Sequence, residues 1–201
     1  MLGAIAGDIV GSPYEFHNIK TVDFPLFISC SKFTDDSVMT LAVAKWLTDD
    51  AEHTPQYLVR CMQELGHRYP RAGYGGSFVR WLCLAAPQPY GSWGNGAGMR
   101  VSPVGMYAKT LEEALSLAEI SAEVSHNHPE GIKGAQAVAS AVFLARTSDD
   151  LWSESTKKTI RDFISERFGY DLDRTTDGIR PGYSFDVSCQ GSVPEAIIAY
   201  L

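Results

Sequence analysis

The run Phe33-Thr34-Asp35-Asp36-Ser37-Val38-Met39-Thr40-Leu41-Ala42-Val43-Ala44 sets three oxygen-bearing side chains directly ahead of an apolar segment. Val38, Leu41, Ala42, Ala44 and the following Lys45-Trp46-Leu47 recur at i, i+3, i+4 and i+7, which predicts a helix with one buried face. Thr34 suits its N-cap, and Asp35 and Asp36 fall in the first turn, where the helix dipole favours negative charge. Those acids have two readings. One is an ordinary capped helix start. The other is a set of hard oxygens, pinned on a rigid helix end, that holds a Mg²⁺- or Ca²⁺-like cation. Spacing alone does not choose between them.

On the N-terminal side, residues 11 to 32 carry Pro13, Pro25 and little periodicity, so they read as a loop. Glu15 sits there between Tyr14 and Phe16, either as a surface glutamate or as a carboxylate that the loop brings to a cation or substrate. The small apolar opening from Leu2 to Val10 fits helix or strand, and Asp8 within it reads as a cap or turn acid.

On the C-terminal side helical signals dominate. Thr54-Pro55 opens a helix to about Tyr69, with Leu58, Met62 and Leu65 on one face. A turn over Gly73 to Gly76 precedes a short buried helix containing Phe78, Val79, Trp81, Leu82 and Leu84. Thr110-Leu111-Glu112-Glu113 is a capping box for a helix to about Val124. Gly131 to Arg146, rich in Gly, Ala and Ser, predicts a central helix that packs close to its neighbours. Ser153 caps a helix to about Phe168, and Ser192-Val193-Pro194-Glu195 reads as the box that starts the last one. That last helix ends at Leu201 without stop signals, so the sequence reads as cut in mid-helix. Six or seven helices and no alternating strands make this an all-α, compact orthogonal multi-helix single domain over residues 1–201.

Two stretches do not serve packing in any obvious way. Tyr90 to Gly105 holds four glycines within eight residues, including Gly94, Gly96 and Gly98, together with Asn95, Met99 and Arg100. Such a loop either makes a plain turn or offers backbone N–H groups to phosphate oxygens, with Arg100 as a fork for an anion. Ser125-His126-Asn127-His128-Pro129 interrupts two helices. With no matching Cys or His partners, its histidines read as polar groups contacting ligand or backbone rather than as zinc ligands.

Composition narrows the class. The chain has 201 residues, 45% hydrophobic and 20% charged, with a net charge of −7. That balance suits a globular domain and argues against general nucleic-acid binding. No apolar run reaches the roughly 18 residues of a membrane helix, so no membrane partner is expected. Cys30, Cys61, Cys83 and Cys189 show no zinc or CxxC spacing and read as reduced thiols, mostly buried, of a cytoplasmic protein.

Four segments in this order resemble the ADP-ribosylglycohydrolase family, of the dinitrogenase-reductase-activating type. They are Gly3 to Gly11 with Glu15, Phe33 to Ser37, Gly94 to Pro103, and Ser125-His126 followed by Gly131 and Gly134. The resemblance implies a magnesium-dependent hydrolase that releases ADP-ribose from a modified protein or small conjugate. It implies that Thr34, Asp35 and Asp36 ligate Mg²⁺, that Glu15, Asp35 or Asp36 is the catalytic carboxylate, and that Gly94, Asn95, Gly96, Gly98, Met99, Arg100 and His126 bind substrate. Trp93 or Tyr90 is expected to stack on adenine. The chain departs from the family in lacking the late GGDxDT-like segment that supplies the second half of the metal site. The cluster Asp171, Asp173, Thr175, Thr176 and Asp177 is a weak substitute by context. The departure leaves a non-catalytic ADP-ribose-binding module or a structural, crystallin-like member as the alternative, and it makes self-association an expectation.

Overall fold

A computed structural model describes residues 1–201 and contains ten helices and no strand. Their ranges are α1 Leu2–Gly11, α2 Asp35–Asp49, α3 Pro55–Arg68, α4 Gly76–Leu82 and α5 Ser102–Tyr107, then α6 Leu111–Glu123, α7 Pro129–Thr147, α8 Glu154–Phe168, α9 Thr176–Ile179 and α10 Cys189–Tyr200. The all-α expectation holds. A single antiparallel bridge joins Gly94 to Ser188, tying the glycine loop to the start of α10.

Helix α2 begins as its sequence predicts. Thr34 is the N-cap in extended conformation, and its hydroxyl accepts the Asp36 N–H. The buried face is carried by Val38, Met39, Ala42, Val43, Trp46 and Leu47. Leu41 stays exposed, because the neighbours α3 and α5 cover the Met39–Val43–Trp46 side of the helix. Trp46 anchors that side by donating its indole N–H to the Thr54 carbonyl at 3.1 Å. The main core gathers α2, α3, α4 and α6 with part of α7, while a second cluster joins α7, α8 and α10.

Helix α7 is the hub, touching α5, α6, α8 and α10. Its small residues allow that many neighbours. A Cβ on Gly134 would lie 2.5 Å from Cys189 Sγ, so only glycine lets α10 approach this closely.

Three sequence expectations need correction. Helix α5 arises inside the stretch read as a loop, because Pro103 is tolerated in a first helical turn. Helix α10 starts at Cys189 with Ser188 as N-cap, so Ser192 is not the cap and Pro194 lies inside the helix. The Ser192 hydroxyl instead bonds the Ser188 carbonyl. The thiols divide evenly, Cys61 and Cys189 buried, Cys30 and Cys83 exposed. No helix is long and apolar enough to cross a membrane.

Candidate functional site

A cleft of about 1000 Å³ runs between the N-terminal end of α2 and the glycine loop. Thr34, Asp35, Asp36 and Glu15 line one side, and Gly94, Asn95, Gly96, Met99, Arg100 and His126 line the other. Gly98 does not reach it. Gly98 is buried, and a Cβ there would meet Val193 at 3.2 Å, so it serves packing against α10.

The acid side is organised by Asp8 from α1. Asp8 Oδ2 accepts the Thr34 N–H at 2.8 Å and the Ser37 N–H at 3.1 Å, and it also accepts the Ser37 hydroxyl. Asp8 Oδ1 accepts the Thr34 hydroxyl at 2.6 Å. One carboxylate therefore satisfies the orphan N–H groups of the α2 start, the structural role its sequence suggests. With its proton given to Asp8, Thr34 Oγ1 keeps a lone pair for a further partner.

No basic side chain of the chain pairs with Asp35 or Asp36, and none of its ion pairs involves Asp8 or Glu15. Burial, then the neighbouring Asp36 charge, pushes the Asp35 carboxyl up to about 7. Burial, then Asp8, pushes Asp36 up to about 6. Glu15 is also raised, by burial first and Asp8 second, against a lowering by Lys32. Hard oxygens whose ionisation is resisted by burial and by one another fit a divalent cation. They fit it from one side only, since no group of three His, Cys, Asp or Glu side chains converges here to hold a metal.

The opposite side is embedded in the core. Arg100 is fully buried, which sequence reading did not foresee. Its Nη2 donates to the Ser121 carbonyl and to Ser125 Oγ at 3.0 Å, so the expected exposed fork is not what it presents. Burial holds its guanidinium down at about 10. His126 follows, with Nδ1 2.8 Å from Ser125 Oγ and Nε2 beside the loop. A Cβ on Gly96 would stand 2.7 Å from that Nε2, so residue 96 must be glycine for the loop to sit over the ring. Burial and the Arg100 charge press the imidazole down to about 3, so it is neutral.

Several of the loop's N–H groups are spent within the chain. Gly91 donates to Asn127 Oδ1 at 2.8 Å, Gly94 to Ser92 Oγ at 3.1 Å, and Asn95 to the Val187 carbonyl at 2.7 Å. Gly96 lines the cleft, and its N–H has no acceptor in the chain. Tyr90 packs on His126 with centroids 5.5 Å apart, and Trp93 is exposed at the rim.

Sequence reading missed the segment from Tyr183 to Val187, which closes one end of the cleft. Phe16 meets Phe185 at 4.8 Å between centroids, and Lys20 Nζ bonds the Tyr183 carbonyl, so the Glu15 loop rests on this segment. Aromatic and hydroxyl-bearing residues in a glycine-broken stretch were the available signal. The Asp171–Asp177 cluster lies apart from the cleft. Arg174 pairs there with Asp171 and Glu195, and Thr175 caps α9. His128 caps α7, its Nδ1 accepting the Glu130 N–H at 3.1 Å, and plays no part in the cleft.

A family model described as ADP-ribosylglycohydrolase matches residues 1–197. Among curated proteins, the ADP-ribosylhydrolase ARH3 of Homo sapiens is 29% identical, covering 72% of this chain and 48% of that protein. The proteins of the same name from Mus musculus and Gallus gallus are 28% and 26% identical at similar coverage. The chain thus spans about half the length of the curated relatives it matches.

Proposed function

The chain belongs to the ADP-ribosylglycohydrolase family, a family of glycosidic hydrolases, and from that premise we propose that it cleaves ADP-ribose from modified proteins or small conjugates with the help of magnesium. One observation carries the reading. In a single cleft, carboxylates without counter-charge face a glycine loop and a neutral histidine. The first side suits a cation and ribose hydroxyls. The second suits the oxygens of a diphosphate and ribose.

Thr34, Asp35 and Asp36 would hold the magnesium. When bound, that ion offsets charge developing on the ribose and makes water more acidic. The remaining work belongs to the chain. Glu15, whose carboxylate makes no hydrogen bond, accepts a proton from water as the water oxygen bonds the anomeric carbon of the distal ribose. The bond from that carbon to the leaving group breaks as the new one forms, and the leaving group departs with the bonding pair and takes up the proton that Glu15 accepted. The Gly96 N–H and His126 hold the nucleotide, and Tyr90 or Trp93 stacks on adenine. The working compartment on this reading is the cytoplasm, with the scattered cysteines as support.

Incubating the chain with arginine- and serine-linked ADP-ribosylated protein, with magnesium or with EDTA, tests the proposal. Chromatographic release of free ADP-ribose in magnesium alone supports it. A second reading, ADP-ribose binding without hydrolysis, is favoured by the shortage of converging metal ligands. Nucleotide binding with no release in either condition would select it.

A further inference from the structure

Three buried side chains behind the glycine loop form a chain of hydrogen bonds that ends at the cleft. Arg100 is 0% exposed, Ser125 is 0% exposed and His126 is 5% exposed. No carboxylate pairs with Arg100, whose Nε has no hydrogen-bond partner at all. A buried guanidinium without a counter-ion is costly, so its place here calls for a reason beyond packing.

Proton counting supplies one. Arg100 carries donors only, so in its contact with Ser125 the serine oxygen must accept. Ser125 then has one proton to give, and His126 Nδ1 at 2.8 Å is the only other partner its hydroxyl has. If Nδ1 carried the proton instead, Ser125 would accept twice and its own O–H would be left unpaired in a site closed to water. Such an orphan carries the full desolvation penalty of an unmade hydrogen bond. The relay therefore leaves Nδ1 as acceptor and moves the ring proton to Nε2.

We propose that Arg100 and Ser125 are positioning residues that lock His126 as the Nε2–H tautomer, making it a hydrogen-bond donor, never an acceptor, toward the occupant of the cleft. Nε2 makes no hydrogen bond inside the chain and adjoins Gly96, whose own N–H has no acceptor in the chain. Two donors side by side above a buried positive charge select an acceptor-rich group. Resting on the reading of the cleft as an ADP-ribose site, that group is an oxygen of the nucleotide's diphosphate or distal ribose. Burial, and after it the Arg100 charge, keeps the ring from taking a second proton, so the donor stays neutral.

The test is a long-range proton–nitrogen NMR correlation of the ¹⁵N-labelled 201-residue chain, without nucleotide, with His126→Gln used to assign the ring. The relay predicts a bare Nδ1 and a protonated Nε2. A ring protonated at Nδ1 overturns it, whatever the chain binds. Ser125→Ala removes the proton donor, so the ring should shift toward a mixture of tautomers and ADP-ribose affinity should fall about tenfold. Ser125→Thr keeps the hydroxyl and should restore both. A Ser125→Ala ring that stays wholly Nε2–H also overturns the relay. The outcomes separate from the functional reading. An Nε2–H ring with no ADP-ribose binding retains the relay and removes that reading, and an Nδ1–H ring with binding intact does the reverse.

Discussion

The two walls of the cleft are finished to different degrees by the same chain. Behind the glycine loop, Ala97, Arg100 and Ser125 are wholly buried, and the polar atoms there are tied through Ser121, Ser125 and His126. Across the cleft, α1 has no buried residue, Glu15 is exposed, and Asp35 and Asp36 hold half-buried carboxyls raised well above their ordinary range. Folding alone ties most of that wall together, because Ser121, Ser125 and His126 supply partners for Arg100 and for one another, and it leaves Arg100 Nε, His126 Nε2 and the Gly96 N–H without one. It does not do the same for the paired acids, since what they lack is positive charge, and none comes from the chain. On the proposed reading, the acid wall is where stability is exchanged for binding.

The largest break in that contrast should come from Asp8→Ala. It removes the acceptor shared by the backbone and hydroxyl of both Thr34 and Ser37, and hydrogen bonds to a charged group carry about 1.5–3 kcal/mol each. We expect about 3 kcal/mol lost in urea unfolding, with the two halves of the cleft no longer in register. A loss below about 1 kcal/mol would mean that α1 does not set the acid wall.

Titration comes next. Asp35 and Asp36 bind protons more tightly folded than unfolded, at about 7 and about 6 against an ordinary value of 3.8. Their contribution is therefore fully present below the ordinary carboxylate range and is lost as pH rises through 6 and 7. The ligand-free chain should lose about 2–4 kcal/mol of unfolding free energy between pH 4 and pH 8, less than the separate shifts suggest because the two acids are coupled. Stability rising with pH over that window would contradict the burial of these acids. Added magnesium at pH 8 should restore most of the loss.

Asp35→Asn sharpens the comparison through its sign. Removing one charge should stabilise the magnesium-free chain at pH 8 by about 1–2 kcal/mol and abolish stabilisation by the ion. A Tm that falls, or that still responds to magnesium, would count against a cation at this wall. The smallest effect is reserved for a control outside both walls. His128→Ala removes the N-cap of α7 and should cost about 1 kcal/mol in urea, with ADP-ribose affinity unchanged.

What could be read from the sequence follows from the range of the interactions involved. The start of α2, with Thr34 as cap and both acids in its first turn, is decided within four residues and was legible. The caps at Thr54, Thr110 and Ser153 are equally local. The burial of Arg100 was not legible, because its acceptors stand 21 and 25 residues away and nothing in the loop announces them. The Tyr183–Val187 segment escaped for the same reason, as its link to the Glu15 loop spans 163 residues. At α10 a plausible local box was outcompeted. Ser188 caps the helix because the Gly94 bridge already fixes its backbone beside the loop.

On the proposed reading, one wall holds nucleotide by itself while the other does so through a cation. Calorimetric titration of ADP-ribose into the 201-residue chain, first in magnesium and then in EDTA, tests it most directly. Binding is expected in magnesium and should weaken about tenfold or more in EDTA without vanishing. Equal affinity in the two conditions would contradict the role given to Thr34, Asp35 and Asp36, and no binding in either would contradict the account of both walls.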